Sequence, residues 1–432
     1  MIGELREAFN ALFTVDKYRD LLSQLNAHAG TTIEFRIAET PIFLPKPLLD
    51  ELASAGSALA TRLMTWPEYM SAASRSIPPE FLVAGESAHP HFLTADFALV
   101  RDEAGSLAPK LVEIQAFPSV YAYQAALASE YAAVFHLPVS EIPHSGNLGT
   151  FLGGHTQASF EALFRQTILG EHEAQNVVLL EVDPWNQKTL PDFLLTSRML
   201  GIPIVDIATV VPIGSKLHYR NDAGELVAIH RIYNRAIADE MMAREVKLSF
   251  DLTAAWDVEW AGHPNWYFLI SKFSVPWLSL PRDGEEKADP VVPPAAFLQD
   301  FLAGPGRDRL HEAGVELPEN DAPETVYEHL LLKPLFSFAG KGIHFAPSRA
   351  DLLAIPEAER SNYLLQQRMH FVPTIETPYG LTQAEIRILY LWPDGGELSP
   401  VLSLVRLGRG KMMGVDHNRD KLWVGASAAF WK

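Results

Sequence analysis

The segment Leu330-Leu331-Leu332-Lys333-Pro334-Leu335-Phe336-Ser337-Phe338-Ala339-Gly340-Lys341-Gly342-Ile343 has the residue types of an anion site. An apolar strand ends in a lysine, and a loop of small residues follows. Ser337, Ala339, Gly340 and Gly342 let backbone N–H groups approach an anion closely, while Lys333 supplies a fixed positive charge. The same residues also suit a tight hairpin loop with a snorkelling lysine. A Walker A loop is excluded, because Leu335 stands where its first glycine would be and no Ser or Thr follows Lys341. Further on, Tyr363–Arg368 reads as a strand whose polar end, Gln366 and Gln367, suits either a flat base or an ordinary sheet edge. Arg387 stands within the apolar run Glu385-Ile386-Arg387-Ile388-Leu389-Tyr390, where a buried guanidinium needs a carboxylate across the sheet or a ligand. Arg406, Arg409 and Lys411 lie beside Gly408 and Gly410.

The carboxylates are distant in sequence. Asp96 falls on one expected strand and Glu113 and Gln115 on the next. Glu113 and Gln115 are two residues apart, so both side chains leave one face. Two carboxylates and an amide oxygen converging there would suit Mg²⁺, a hard cation that takes oxygen ligands; solvated acids on a hairpin are the plainer alternative. The pair His89-Pro90-His91 with Asp96 offers a different chemistry, a Zn²⁺-dependent hydrolase, against the reading that these are turn histidines. Neither a His-Glu-x-x-His nor a Gly-x-Ser-x-Gly motif occurs.

The elements that must position these groups follow from pattern. Residues 1–80 read as helices broken at Pro41, Pro45, Pro47 and Pro78-Pro79. Phe92–Val100, the turn at Asp102–Gly105 and Leu111–Ile114 read as an acidic hairpin, followed by an Ala-rich helix over Tyr121–Phe135 and a Gly-rich loop over 146–154. Strand Val177–Val182, helix Leu190–Leu200 closed by Gly201, and strand Ile202–Ile207 form an α/β unit. Lys216–Tyr219 and Leu226–Tyr233, around the turn Asn221–Gly224, read as a hairpin, and 281–330 as surface loops and short helices. Strands are expected at 330–333, 343–345, 363–368, 385–391 and 401–406, with a small-residue loop at Gly425-Ala426-Ser427-Ala428-Ala429.

Composition bounds the class. The chain has 432 residues, a formal net charge of −18, 48% hydrophobic and 20% charged residues, and no cysteine. These are proportions of a folded chain, and they exclude disulfides, cysteine nucleophiles and iron–sulfur centres. The acidic balance opposes general nucleic-acid binding. No apolar run approaches the roughly 20 residues that span a bilayer, and Met1–Glu7 does not read as a signal peptide. A cytoplasmic enzyme without nucleic-acid or membrane partners is expected; the oligomeric state is left open.

Taken in order, these motifs resemble the ATP-grasp superfamily in its circularly permuted branch, which includes eukaryotic-type glutathione synthetase and glutathionylspermidine synthetase. Leu111-Val112-Glu113-Ile114-Gln115 stands before the nucleotide loop, whereas the unpermuted order places that strand last. Asp222-Ala223-Gly224-Glu225-Leu226 followed by Ile232-Tyr233-Asn234-Arg235 resembles the family's substrate-domain hairpin. The resemblance implies an α/β (α+β) fold of ATP-grasp architecture, with 1–91 helical, 92–170 the metal-ligand strands, 171–240 an inserted α/β substrate domain, 241–330 a connecting region and 331–432 the nucleotide-binding subdomain. It implies ATP and Mg²⁺ as cofactors and a small-molecule acid and amine as substrates, joined through an acylphosphate. Lys333 and Lys272 would bind the phosphates, with Gly340, Lys341 and Gly342 in the covering loop and Gln366 and Gln367 at the adenine hinge. Asp96, Glu113 and Gln115 would hold Mg²⁺. Tyr233, Arg235 and Arg406 would meet the substrate, and Arg387, Arg406 and Lys333 would act in catalysis. The chain departs from the family at three places: Gln115 replaces Asn, Leu335–Phe338 lacks the glutamate that follows Lys-Pro, and Thr94 replaces an Arg. These departures motivate an alternative, an ATP-grasp protein that binds nucleotide but has lost ligase chemistry.

Overall fold

The computed structural model describes every residue except 103, 141–146, 283, 321, 337–341, 411–412, 414–417 and 419. Strands are numbered in chain order. The central seven-stranded sheet runs β1 (Ile42–Leu44), β18 (Gly425–Trp431), β17 (Ser399–Gly408), β16 (Gly380–Leu391), β2 (Phe92–Arg101), β3 (Leu107–Gln115), with β15 (Ile375–Thr377) paired to β16. Its long central strands are antiparallel, and β1 joins parallel to β18. A four-stranded parallel sheet runs β10 (Glu259–Ala261), β9 (Arg231–Asn234), β4 (Val177–Glu181), β5 (Ile204–Asp206). A four-stranded antiparallel sheet runs β11 (Ala295–Phe297), β14 (Tyr363–Gln367), β12 (Leu330–Pro334), β13 (His344–Phe345). A three-stranded sheet, β6 (Val211–Ile213), β7 (Lys216–Arg220), β8 (Leu226–Ala228), completes a mixed α/β molecule.

Alternation along the strands sorts their side chains. Ala95, Phe97, Ile114, Ile386, Ile388 and Val405 pack beneath helix Lys46–Met64 in one core. Leu389, Leu402, Ala428 and Phe430 turn to the other face and meet helices Val15–Ala29 and Tyr121–Phe135. The first of these helices has a Thr14 cap that accepts the Lys17 N–H at 3.2 Å, apolar residues Leu21 and Leu25 four apart, and Gly30 at φ 75°. The second keeps its expected bounds and is buried on nearly every side, which suits a helix held between the central sheet and the helices Val15–Ala29 and Leu190–Leu200.

Two expectations are corrected. Gly425–Ala429 is strand, not loop: small side chains let helix Tyr121–Phe135 approach closely enough for Gln124 to donate to the carbonyls of Ser403 (3.0 Å) and Ser427 (3.3 Å). The arm Leu226–Tyr233 is two strands. At Ile229–His230 the chain leaves β7, and the His230 N–H goes to the Asn176 carbonyl at 2.8 Å, which delivers β9 to the parallel sheet. Strands β1, β10, β11 and β15, each 3 residues long, are additions the sequence pattern did not signal. No helix among the described residues is long and apolar enough to cross a membrane.

Candidate functional site: a charged cleft between two sheets

The strand alternation that fills the core on one side leaves a charged row on the other. Asp96 lies opposite Glu113 on β3 and opposite Arg387 on β16; Thr94 lies opposite Gln115, and Glu385 opposite Arg406. Residues directly opposite on paired strands share a face, so all these side chains converge. Arg387 grips Asp96 with two prongs, Nε to Oδ1 at 2.5 Å and Nη2 to Oδ2 at 2.7 Å. Arg406 reaches the same Oδ2 at 2.5 Å and lies 3.1 Å from Glu385. Burial works against the Asp96 carboxylate, but the two guanidinium groups outweigh it and hold its pKa below the usual range. Burial pushes the Glu385 carboxyl up, partly offset by Arg406. Glu113 accepts from the Gln115 amide and lies 3.5 Å from Lys272 Nζ.

The antiparallel four-stranded sheet supplies the opposite wall. Leu330, Leu332, Leu365 and Ala296 face a small core of their own. The intervening residues face the other way, with Lys333 opposite Leu364 and Leu331 opposite Gln366, so Lys333 and Gln366 share the second face. Burial lowers Lys333 to about 8; Glu113 opposes that shift and Lys272 adds to it, so the sheet presents this lysine to the charged row. Gln366 is fully buried, yet neither Oε1 nor Nε2 of its amide has a hydrogen-bond partner among the described residues. A buried amide left unsatisfied costs about 1–3 kcal/mol, and both polar atoms of Gln366 are open to a further partner. Gln115, Tyr267, Ser271, Lys272, Leu335 and Phe336 line a narrow cleft at this junction.

Residues spread over 310 positions of sequence are thus brought together: Asp96, Glu113, Gln115, Lys272, Lys333, Arg387 and Arg406 meet, with Gln366 on the wall carrying Lys333. Gln367 follows at the strand end and donates its N–H to the Pro294 carbonyl at 2.8 Å. Gly342 adopts φ 78° against Pro334. Gly340 and Lys341 lie outside the described residues. Tyr233 and Arg235 sit apart, at the end of β9. Arg235 is buried and bonds Asp192 at 2.8 Å and the Ser119 carbonyl at 2.6 Å. Tyr233 is buried among rings, including Phe92 and Phe164. Sequence reasoning missed Ser119, whose Oγ accepts from Arg387 at 3.3 Å and whose carbonyl holds Arg235. It set Glu385 aside as a partner because neighbours on a strand face opposite ways, but a residue two before Arg387 lies on the same face, and Glu385 pairs with Arg406 at 3.1 Å.

The histidine alternative is corrected. His91 lies 2.8 Å from Asp394 and within 3.3 Å of Arg231, and His89 stacks on Trp392, while Asp96 is engaged by its arginines. Among the described residues no group of three or more His, Cys, Asp or Glu is arranged to hold a metal.

No family model matches the sequence, and no curated protein matches it. Among solved structures, the chain resembles a glutathione synthetase-like effector from Globodera pallida in its apo form, with TM-score 0.51 and 10% identity over 96% of each chain. The molecule therefore has a glutathione synthetase-like α/β fold.

Proposed function

We propose that this chain is an ATP-dependent carbon–nitrogen ligase of permuted ATP-grasp type, which activates a carboxylic acid as its acylphosphate and passes it to an amine. The observation that carries the reading is the cleft itself: a lysine and an unsatisfied buried glutamine on one sheet face a row of acids and arginines on another. Lys272, Lys333, Arg387 and Arg406 outnumber Asp96, Glu113 and Glu385, so the cleft favours an anionic ligand.

The donor set fits Mg²⁺ in reduced form. Asp96 is committed to two guanidinium groups, which leaves the Glu113 carboxylate and the Gln115 carbonyl oxygen as the hard ligands. One or two protein oxygens, completed by phosphate oxygens and water, is the usual Mg²⁺ arrangement at a nucleotide. ATP with Mg²⁺ would supply the phosphoryl group and neutralise its oxygens. Lys333 and Lys272 would bind phosphate, and Gln366 and Gln367 would hold the base. Asp96 positions Arg387 and Arg406, fixing their charge where it develops in phosphoryl and acyl transfer.

Calorimetric titration with a non-hydrolysable ATP analogue, with and without Mg²⁺, tests the reading. Binding should require Mg²⁺ and fall at least 100-fold in Lys333→Ala; equal binding by the variant would sink the assignment. The saturation of Asp96 by arginine, with Thr94 and Leu335–Phe338 as they stand, favours one second reading, a nucleotide-binding protein without ligase chemistry. Analogue binding with no ADP release across a panel of acids and amines would select it.

A further inference from the structure

Arg235 and Asp192 are charged and buried, and the proposed phosphate chemistry gives neither of them a task. Arg235 follows β9, and its N–H goes to the Leu180 carbonyl at 2.8 Å, so the parallel sheet fixes its backbone. Asp192 lies in the first turn of helix Leu190–Leu200. Their side chains are 5% and 1% exposed. Phe193 covers one face of the guanidinium, 5.1 Å from ring centre to Cζ, and Nε is buried with no partner among the described residues. Apolar residues of like volume often serve stability as well as such a pair, or better. Stability alone is therefore a poor account of it.

The bonds of the pair lead to the charged row. From Nη1, Arg235 donates to Asp192 Oδ2 at 2.8 Å and to the Ser119 carbonyl at 2.6 Å. Asp192 Oδ1 accepts the Tyr123 N–H at 3.0 Å and so caps helix Tyr121–Phe135, whose own cap residue, Val120, makes no side-chain bond. Ser119 is thus held through its carbonyl and through the helix start that follows it. Its Oγ accepts from Arg387 Nη1 at 3.3 Å, while Nε and Nη2 of Arg387 go to Asp96. Two bonds along one edge leave a planar guanidinium free to tilt about that edge, and the third bond sets the tilt.

We propose that Asp192 and Arg235 are positioning residues for Arg387: acting through Ser119, they set the plane in which its guanidinium faces the cleft. The part this plane plays in phosphoryl and acyl transfer rests on the ligase reading; the coupling itself does not. Arg235, expected to meet substrate, acts instead at one remove.

Nuclear magnetic resonance of the full chain with isotope-labelled arginine side chains tests the coupling. The Arg387 Nε–H signal is assigned by its loss in Arg387→Lys. Asp192→Asn keeps the volume but offers one acceptor oxygen where two N–H groups arrive. It should shift and broaden the Arg387 signal and leave that of Arg231, whose Nε donates to the Ile168 carbonyl at 3.0 Å, in place. Arg235→Lys, which keeps the charge and loses the fork, should move the Arg387 signal less. If Asp192→Asn does not fold, Ser119→Ala decides: it removes Oγ, keeps the carbonyl, and should shift Arg387 while leaving Arg235 in place. A purely structural pair would lower stability with the Arg387 signal unmoved, and an unmoved signal in folded Asp192→Asn or in Ser119→Ala would overturn the proposal. Titration with the ATP analogue separates the two readings. Analogue binding with an unmoved Arg387 signal removes the coupling and leaves the ligase reading. A moved signal without analogue binding keeps the coupling and removes the ligase reading.

Discussion

Two residues in the cleft carry opposite burdens for stability and for function. Lys333 is buried, and its pKa falls from 10.5 to about 8 through desolvation. Between those values the unfolded chain holds a proton that the folded chain has released, so stability rises with pH across that window and the penalty is fully present below 8. Lys333→Met should therefore stabilise the protein at pH 7 by on the order of 1–3 kcal/mol, with the gain shrinking toward pH 10.5, while nucleotide affinity is lost. Urea denaturation of both proteins at pH 7 and pH 10 checks the sign; a variant less stable at pH 7 would show that the lysine is not under strain. Asp96 behaves in the reverse sense. Asp96→Asn leaves Arg387 and Arg406 without their shared carboxylate, and breaking a buried pair costs about 3–5 kcal/mol. The same denaturation experiment should find that loss, and one below 1 kcal/mol would mean that solvent or Glu385 replaces the partner. The need of a buried Arg387 for a counter-charge was legible in the sequence from its apolar neighbours. That Asp96 supplies it was not, because the pairing depends on which strands become neighbours across nearly 300 residues.

Elements were read most reliably where their pattern is long. Helix Tyr121–Phe135, helix Leu190–Leu200 with Gly201 at φ 75°, and strands β2, β12, β14 and β16 follow from periodicity and end signals. Gly425–Ala429 misled because small residues mark either a loop or a strand under a close helix, and only tertiary contact separates the two. Close approach also governs helix Lys46–Met64. Gly56 lies on its buried face, and a Cβ there would press on the Tyr390 hydroxyl, which donates to the Ala53 carbonyl at 2.8 Å. Gly56→Ala gains about 1 kcal/mol in helix propensity, but overpacking of this kind costs about 1–3 kcal/mol. A net loss is expected, with partial recovery in Gly56→Ala/Tyr390→Phe, where the hydroxyl is gone. A double-mutant cycle measures this, and additive effects would show that the helix shifts instead of clashing.

At the scale of the molecule, the antiparallel four-stranded sheet has its own core, formed by Leu298, Phe301, Leu310, Leu330, Leu332 and Leu365, distinct from the two cores that hold the central sheet. Lys333 and Gln366 face away from that core, toward the row on the central sheet, so the two bodies meet over polar groups in this region. A ligand contacting both would stabilise the folded state by RT ln(1 + [L]/Kd), about 2.7 kcal/mol at 100 times Kd, and would restrain the small sheet against the large one. Hydrogen exchange with a Mg²⁺-bound ATP analogue should therefore slow in β12, in β14 and at Glu113–Gln115 together, and leave β4 and β5 of the parallel sheet unchanged. The pattern discriminates because these strands belong to different sheets and share no hydrogen bonds; only a bridging ligand protects both sides of the cleft at once. Slowing confined to β12 and β14 would place the nucleotide on the small sheet alone, and the arginine row would then lose its proposed part in phosphoryl transfer.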